Sequence, residues 1–479
     1  MSLANLFAWP KSPRRLEAGT ERRLEAAESL WRAQRPWLLV REEDAILIAP
    51  PNKVFKLGGS ALPLLRFLEA GGRLRDLPGP DGGRGPGEER AREVIRFFDE
   101  FEAACEGRSP EGGFGTLPYG FDFTRLPVLG EIALTYRCNE RCRFCYASCG
   151  SEASCGNLGC GSGQGRFGGP GSREARGEAG SELSTAEWKR VIEILKREAK
   201  IPFFSFTGGE PLLRPDLEEL AAHALSLGLR VNLITNGSLA TPERAASLKA
   251  AGIDTAQVSL ESPDPAVHDA LCDTKGAWER TTAGIGALLA AGVSVQTNTT
   301  LTTANAPTLS RLPALLRELG VRRFSMNLFI PAGRGLGNED LFVPYSEAGA
   351  HVDTLRREAH RAGLTFFWYS PTPYCIYNPV ARGLGNKSCA AVDGLVHVNP
   401  SGDILPCSSW PEALGKILEK PFAELWFSER AAYFKNKRFA PAACEGCASF
   451  IACQGACPLY WRYAGEAELA TARPALEEA

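Results

Sequence analysis

Histidine and methionine are scarce in this chain of 479 residues, which has five and two of them. The net charge is −2, and an excess of neither sign argues against a protein built mainly to hold nucleic acid or an anionic membrane. No run of about 18 apolar residues predicts a membrane-spanning helix. The N-terminal sequence lacks the apolar segment of a secretory signal and has too many glutamates for a transit peptide. We therefore expect a cytoplasmic protein with no nucleic-acid or membrane partner.

Cysteine, in contrast, is abundant. The chain has 15 cysteines, an odd number that cannot all pair within one molecule. Because no export signal is visible, we expect a reducing compartment, in which disulfides are rare. No histidine lies close to the cysteine clusters, which disfavours mixed Cys/His zinc sites. All-thiolate metal sites remain the better explanation.

The length suggests about three domains at about 150 residues each. A β-then-α pattern precedes a region in which strands alternate with helices, and cysteines dominate the C-terminal part. A Gly/Ser/Arg-rich segment interrupts the alternating region, and its composition is typical of a flexible insertion. The predicted boundaries are an N-terminal helix or tail at 1–29, a small unit at 30–106, a linker at 107–126, a core at 127–345 with its insertion at 149–181, and a C-terminal domain at 346–479.

The core region repeats one pattern, in which a helix ends at a glycine and an apolar strand follows at once. Glycine suits the left-handed position that ends a helix. Alternating strands and helices predict a parallel sheet with helical crossovers. With at least six strands, we expect the α/β class and a partial (β/α)6 TIM-like barrel. The glycines are Gly228, Gly252, Gly292, Gly320 and Gly363.

A compact cysteine motif follows the strand predicted at residues 131–136. Cys138, Cys142 and Cys145 lie within eight residues at the carboxyl end of that strand, where (β/α) barrels place their chemistry. Three thiolates can bind three irons of a cubane cluster and leave the fourth iron open to a ligand that is not protein. Zinc is the alternative from the spacing alone, because Cys149 would supply a fourth thiolate.

Polar residues also follow the other predicted strands. Each short motif is usually a simple turn when it stands alone. Paired glycines, however, allow a ligand to approach the backbone, and the carboxyl ends of parallel strands meet at one end of a barrel. Together the motifs favour a ligand with amino and hydroxyl groups that binds at the cysteine cluster. They occupy residues 207–211, 235–237, 259–261 and 331–334.

At this point the sequence resembles the radical S-adenosylmethionine superfamily. The C-x3-C-x2-C motif of that family, with an aromatic residue before its last cysteine, matches Cys138, Cys142, Phe144 and Cys145. Its Gly-Gly-Glu motif matches residues 208–210. The resemblance covers residues 127–345 and implies that the three cysteines bind a [4Fe–4S] cluster, whose open iron chelates S-adenosylmethionine.

The resemblance also implies how the cofactor is bound. Gly208, Gly209 and Glu210 would contact the methionyl amino group. The carboxylate and ribose of the cofactor would contact residues at the ends of the two following strands. The adenine and sulfonium would contact residues after the last strand of the core. The remaining implied contacts are Asn236, Ser259 and Glu261 for the carboxylate and ribose, Pro331 and Arg334 for the adenine and sulfonium region, and the aromatic Phe144.

The chain departs from the family near Cys272, where many relatives carry an arginine. The corresponding run in this chain, residues 263–278, contains no arginine. The resemblance therefore does not say which cation faces the cofactor carboxylate, and Lys275 and Arg334 are the candidates. Cys149, Cys155 and Cys160 match no family position, and we expect them to be exposed or incidental thiols.

A second set of cysteines resembles the SPASM extension of peptide- and protein-modifying radical enzymes. The resemblance implies one or two auxiliary Fe–S clusters, the first held by Cys375, Cys389, Cys407 and Cys457. The second would use Cys444, Cys447 and Cys453, and its fourth ligand is open because no cysteine follows residue 457. A carboxylate, an insertion cysteine or no protein group are the possibilities. A zinc ribbon on the last four cysteines is the alternative reading.

The N-terminal unit at 30–106 resembles the small PqqD-like peptide-recognition domain, and a generic winged-helix-like module is the alternative. The run from Val54 to Leu77, a strand and then a helix that ends in glycine, carries the likeness. Such a unit would bind a leader peptide as an added β-strand.

These observations predict a radical S-adenosylmethionine maturase. It would cleave S-adenosylmethionine reductively, and the resulting 5′-deoxyadenosyl radical would abstract hydrogen from a ribosomally made precursor peptide to form a thioether or carbon–carbon cross-link. An electron donor such as flavodoxin or ferredoxin is the second expected partner. A maturase of a folded enzyme or of a small cofactor such as a tetrapyrrole is the alternative, and a zinc-stabilised binding protein is a third possibility. No catalytic acid or base is predicted.

Overall fold

The computed structural model describes residues 18–49, 53–78, 85–106, 123–149 and 182–472. The chain divides into two compact units, Met1–Arg125 and Leu126–Ala479. Most of the expected N-terminal tail, of the linker and of the insertion lies outside the described residues. No helix in the described ranges is both long and apolar enough to cross a membrane.

The first unit packs three helices and a small sheet around its own apolar core. Its strands are antiparallel in the order β1-β2-β3, so β1 and β3 are the outer strands among the residues that the structure describes. Trp31 and Phe98 meet edge to face in the core, with ring centroids 6.5 Å apart. This order of elements agrees with the β-then-α pattern of the sequence. The elements are α1 (Ala18–Gln34), β1 (Leu39–Arg41), β2 (Ile46–Ala49), β3 (Lys53–Lys56), α2 (Ala61–Glu69) and α3 (Glu88–Glu106).

A buried ion pair links β1 to the turn that follows it. The guanidinium of Arg41 donates to both carboxylate oxygens of Asp44, at 2.8 and 2.6 Å. Asp44 also accepts from the Arg125 amide at 2.8 Å. Removing either charge from so buried a pair would be destabilising, so the pair helps to specify this turn.

The second unit is a mostly parallel sheet covered by helices. Its strands are β4 (Leu129–Thr135), β5 (Phe203–Gly208), β6 (Arg230–Thr235), β7 (Ile253–Ser259), β8 (Ser294–Leu301), β9 (Arg323–Leu328), β10 (Thr365–Trp368), β11 (Leu395–Val398), β12 (Asp403–Leu405) and β13 (Gly415–Lys416). Its helices are α4 (Thr185–Arg197), α5 (Leu217–Ser226), α6 (Pro242–Ala250), α7 (Pro265–Cys272), α8 (Ala277–Ala290), α9 (Leu312–Glu318), α10 (Tyr345–Ala362), α11 (Phe422–Trp426), α12 (Glu429–Lys435), α13 (Phe450–Cys453), α14 (Pro458–Ala464) and α15 (Ala467–Ala472).

The order of this ten-stranded sheet is β10-β9-β8-β7-β6-β5-β4-β11-β12-β13. The sequence predicts β4 to β9 and, after Gly363, β10, and these seven strands lie side by side in chain order. The C-terminal region adds to both sides, because β10 pairs in parallel with β9 and β11 pairs in parallel with β4. Among the described strands of this sheet, only β12 forms antiparallel pairs, with β11 and β13. The α/β class and the partial barrel are therefore confirmed, and the cysteine-rich region shares the barrel sheet.

Local signals in the sequence explain where the helices begin and end. Ser184 and Glu187 form a capping box at the start of α4. The five glycines of the repeat all adopt positive φ, between 70° and 95°. Each glycine therefore ends a helix and turns the chain into the next strand, as predicted.

Helix α8 approaches the end of β6 so closely that only glycine fits at the contact. A Cβ atom on Gly284 would lie 2.0 Å from the carbonyl oxygen of Gly237. Thr281, one turn earlier, donates to the carbonyl oxygen of Asn236 at 2.8 Å. The helix thus supports the turn that follows β6.

We predict that Gly284→Ala destabilises the protein, because the added methyl group forces α8 away from this turn. Overpacking of this kind costs about 1–3 kcal/mol. The matched control is Gly286→Ala on the same helix, where a Cβ meets nothing within 4 Å. Thermal unfolding of both variants should show a lower midpoint for Gly284→Ala alone, and equal midpoints would contradict the close approach.

Candidate functional site

The cysteine loop, defined as residues 136–149, follows β4 directly. It contains Cys138, Cys142 and Cys145, which are all half-buried. Burial raises the pKa of Cys138, and the nearby Glu210 carboxylate and Cys142 thiolate raise it further. The three thiols therefore lie together at the carboxyl end of the sheet, as the sequence predicts, and the surroundings of Cys138 disfavour a negative charge.

Backbone hydrogen bonds from α7 hold the loop in place. The Arg141 amide donates to the Cys272 carbonyl at 3.1 Å, and the Arg143 amide donates to the Leu271 carbonyl at 2.8 Å. An irregular segment has no regular pattern of backbone hydrogen bonds within itself, so hydrogen bonds to neighbouring elements decide its shape. The end of α7 is therefore part of the site.

Arg334 fastens the same loop from the side of β9. Its amide donates to the Cys145 carbonyl at 3.0 Å, and its guanidinium donates to the carbonyls of Cys142 and Cys149 at 3.2 and 2.6 Å. The sequence offered Arg334 or Lys275 as the cation for the cofactor carboxylate. The structure engages Arg334 with the loop backbone and leaves Lys275 exposed.

The paired glycines at the end of β5 allow that strand to touch the start of the loop. Gly208 has φ +135°, and a Cβ there would lie 2.2 Å from the Thr135 carbonyl oxygen. A Cβ on Gly209 would lie 2.2 Å from the Arg137 carbonyl oxygen. The glycines therefore serve a close backbone approach within the protein.

Glu210 is fully buried and joins the ends of two strands. Its carboxylate accepts hydrogen bonds from the Leu212 amide at 2.9 Å, the Thr235 hydroxyl at 2.7 Å and the Asn236 amide at 2.8 Å. Burial raises its pKa to about 7, although these bonds oppose the shift. The side chain thus fixes the end of β6 against the end of β5.

Asn236 connects β6 to the cysteine loop through a ring of polar side chains. Its amide donates to Asn139 at 3.0 Å, Asn139 donates to Ser238 at 2.7 Å, and Ser238 donates back to Asn236 at 2.7 Å. Asn139 directly follows Cys138, so the ring orients the first cysteine of the motif.

Three carboxylates are buried at the cysteine loop. Glu140 belongs to the loop, and Glu210 and Glu261 follow the strands β5 and β7. Burial raises the pKa of Glu140 to about 7, and Glu210 adds to the shift. Burial also raises the pKa of Glu261 to about 8. Among the described residues Glu140 Oε1 has no hydrogen-bond partner. A buried acid with one carboxylate oxygen that lacks a partner fits a cationic ligand.

Sequence reasoning missed Glu140. It lies inside the C-x3-C motif, and its side chain is 3% exposed. The available signal was a charged residue between two cysteines of the motif. The sequence of an irregular loop has no periodic pattern from which the burial of that residue could be predicted.

The remaining predicted contacts are Ser259, Pro331 and Phe144. Ser259 is the half-buried last residue of β7, and Pro331 is buried just after β9. Phe144 packs into a small apolar group with Leu271 and Phe329. This packing accounts for an aromatic residue before Cys145 without reference to a ligand.

Cys149 corrects an expectation, because it is not an exposed thiol. Its side chain is 3% exposed, and its amide donates to the Cys145 sulfur at 3.3 Å. A hydrogen bond from the Cys149 thiol lowers the pKa of Cys145, against the effect of burial. Cys155 and Cys160 lie outside the described residues.

The C-terminal cysteines form two groups. We define the first thiol group as Cys389, Cys407 and Cys457. Burial raises the pKa of Cys407, and the neighbouring thiolates of Cys389 and Cys457 raise it further. The buried Lys437 ammonium donates to the Cys389 carbonyl at 2.7 Å and pairs with Asp393 at 3.1 Å.

The second thiol group differs from the expectation, since Cys375 belongs to it and not to the first group. Burial raises the pKa of Cys375, and the thiolates of Cys453 and Cys447 raise it further. The Tyr374 amide donates to the Cys453 sulfur at 3.4 Å, which places the two segments in contact. The group therefore comprises four thiols, Cys375, Cys444, Cys447 and Cys453.

A left-handed turn directs neighbouring cysteines to different groups. Gln454, Gly455 and Ala456 have φ values of 57°, 79° and 61°. Two of them are not glycine, so the backbone pays a cost for this shape. The turn separates Cys453, in the second group, from Cys457, in the first.

The donor sets fit Fe–S clusters and a cationic cofactor. Thiolates are the usual protein ligands of such clusters, and buried thiols resist ionisation until a metal compensates the charge. Three thiols in the loop leave one position of a cubane for another ligand. The buried carboxylates favour the ammonium and sulfonium that S-adenosylmethionine carries.

Two family models match the chain. The Radical SAM superfamily matches residues 132–319, and the SPASM iron–sulfur cluster-binding domain matches residues 389–448. The AdoMet-dependent heme synthase of Methanosarcina barkeri is 30% identical over 66% of this chain and 86% of its own length. The PqqA peptide cyclase of Xanthomonas campestris pv. campestris is 30% identical over 56% of this chain and 71% of its own.

The fold is similar to that of SuiB from Streptococcus suis, solved with its precursor peptide SuiA. The match has a TM-score of 0.59 and 16% identity, and it covers 88% of this chain and 95% of SuiB. SuiB has also been solved with S-adenosylmethionine. The cysteine loop and the two C-terminal thiol groups agree with these matches. This chain therefore belongs to the radical S-adenosylmethionine superfamily, and it is an enzyme that uses a [4Fe–4S] cluster, S-adenosylmethionine and auxiliary Fe–S clusters.

Proposed function

We propose that this enzyme modifies a ribosomally made precursor peptide and forms an oxidative cross-link, either a thioether or a carbon–carbon bond. The observation that carries the proposal is the combination of parts in one chain: a cysteine loop at the end of the barrel, two further thiol groups and a separate N-terminal unit with its own sheet. The similarity to SuiB and to PqqA peptide cyclases supports it.

In this proposal Cys138, Cys142 and Cys145 bind the cluster. When bound, the cluster and S-adenosylmethionine supply a 5′-deoxyadenosyl radical that abstracts hydrogen from the substrate. The chain orients and encloses these groups. Glu140 and Glu261 provide negative potential for the cofactor's cations, and the paired glycines at the end of β5 fix the adjoining wall of the site.

The auxiliary clusters would take up the electron that remains after bond formation. We assign the first thiol group, three cysteines, and the second thiol group, four cysteines, as their ligands. A small one-electron protein such as flavodoxin or ferredoxin is the proposed donor for the radical cluster.

The N-terminal unit is the proposed leader-binding domain. Its antiparallel sheet ends in the strands β1 and β3, and an extended peptide can lengthen such a sheet by one strand. Its apolar core consists of residues of this unit alone. Such a core suits a separate domain that binds the leader while the rest of the peptide reaches the active site.

A second candidate substrate is a tetrapyrrole, because heme synthases are among the relatives at 30% identity. A planar macrocycle would bind at the barrel and would not need a leader-binding unit. The two candidates therefore differ in their need for the first unit.

We predict that Cys142→Ala abolishes release of 5′-deoxyadenosine from S-adenosylmethionine and lowers the iron content by about four per chain, since one cubane holds four irons. Anaerobic reconstitution with a strong reductant, followed by iron analysis and chromatography, measures both. Cys105→Ala, in α3 of the first unit, is the matched control. Wild-type protein that releases no 5′-deoxyadenosine would refute the proposed chemistry.

Deleting residues 1–110 should separate the two candidate substrates. We predict that the truncated enzyme still releases 5′-deoxyadenosine but no longer modifies the peptide, because the leader site is gone. The peptide encoded beside the gene is co-expressed and examined by mass spectrometry. Unchanged peptide modification would contradict the leader-binding role, and turnover of a tetrapyrrole by the truncated enzyme would favour the alternative.

Cys375→Ala tests the division of the C-terminal thiols. We predict that it removes the same EPR signal as Cys444→Ala and leaves the signal that Cys389→Ala removes, because Cys375 lies with the second thiol group. Release of 5′-deoxyadenosine should persist in all three variants. A shared loss between Cys375→Ala and Cys389→Ala would restore the division expected from the sequence.

A further inference from the structure

Cys272 is the last residue of α7, and no role has been assigned to it so far. Its side chain is 3% exposed. Its carbonyl accepts the Arg141 amide at 3.1 Å, which presses the end of α7 against the cysteine loop. Its sulfur, the Cys142 sulfur and a carboxylate oxygen of Glu140 all lie within 4.8 Å of one another. A second buried thiol thus faces the sulfur of a proposed cluster ligand.

His268, one helical turn earlier, orients the Cys272 thiol. The Glu261 amide can only donate, so His268 Nδ1, 3.1 Å away, is the acceptor. The hydrogen of the neutral ring is therefore on Nε2, which lies 3.6 Å from the Cys272 sulfur. This sulfur accepts from the ring, and its own hydrogen is left to point towards the loop.

The Cys142 sulfur is the acceptor that this arrangement favours. A cysteine bound to iron has lost its proton and presents an anionic sulfur. Cys272 is then the thiol of the pair that retains a hydrogen to donate. Glu140 Oε2, 3.8 Å away, accepts from the Cys142 thiol, and that hydrogen bond is lost once Cys142 binds iron without its proton.

We propose that Cys272 is a positioning residue that donates a hydrogen bond to the Cys142 sulfur and thereby makes the radical cluster easier to reduce. Reduction adds one electron, taken from an external one-electron reductant, and no proton moves and no bond breaks. Added negative charge strengthens a hydrogen bond to the ligand sulfur, so the bond stabilises the reduced state more than the oxidised state. The inference rests on the assignment of Cys142 as a ligand.

The test is an EPR-monitored redox titration of the reconstituted full-length protein. The signal that changes on addition of S-adenosylmethionine identifies the radical cluster among the clusters present. We expect Cys272→Ala to lower the reduced-to-oxidised ratio at a given potential about tenfold, which equals about 59 mV for a one-electron couple. Cys272→Ser keeps a donor and should remain close to wild type.

Two further variants sharpen the result. His268→Phe removes the ring hydrogen that orients the thiol and should shift the ratio in the same direction, by less. Ser262→Ala is the matched control, since this fully buried hydroxyl bonds to Thr308 at 2.9 Å and not to the loop. It should leave the potential unchanged.

Two results would overturn the inference. A Cys272→Ala protein whose ratio stays within twofold of wild type would show that the thiol does not act on the cluster. Loss of about four irons in Cys272→Ala would make Cys272 a ligand instead of a donor. Retention of the S-adenosylmethionine-sensitive signal in Cys142→Ala would refute the ligand assignment separately.

Discussion

The site depends on how an irregular loop is held at the carboxyl end of the parallel strands. Residues 136–149 have no ladder of their own, so their shape comes from hydrogen bonds donated to and accepted from the neighbouring strand and helix ends. Gly208 and Gly209 permit the closest of these approaches, and Arg334 closes the opposite side. Three thiols are thereby brought together although nothing in their own segment is helical or extended.

Buried charge is the second constraint. Glu140, Glu210 and Glu261 and the loop thiols share a region of low exposure, where negative charges repel one another and are poorly solvated. Such a region is stable when it holds positive charge. The iron of a cluster and the two cationic groups of S-adenosylmethionine supply that charge, which explains why one small volume can contain so many acidic groups.

The C-terminal region is joined to the barrel through the sheet itself. Strand β11 pairs with β4, the strand that leads into the cysteine loop, and β10 pairs with β9. The auxiliary thiol groups therefore belong to a polypeptide that is continuous with the barrel sheet. A shared sheet keeps such regions in a fixed relation, because the strand register allows no sliding when one face is buried.

The sequence by itself determined the parts whose signals are local. The glycine stops gave the strand–helix alternation, and the close spacing of Cys138, Cys142 and Cys145 indicated a cluster, because ligands within eight residues need no distant partner. Only the tertiary structure decided the rest. Cys375 lies with Cys453, 78 positions later in the chain, where the neighbouring Tyr374 amide donates to the Cys453 sulfur. A left-handed turn directs Cys457 to the other group. The burial of Glu140, Cys149 and Cys272 could likewise not be predicted from the sequence. It arises where the ends of separate strands and helices pack together, and no periodic pattern in the sequence indicates that packing.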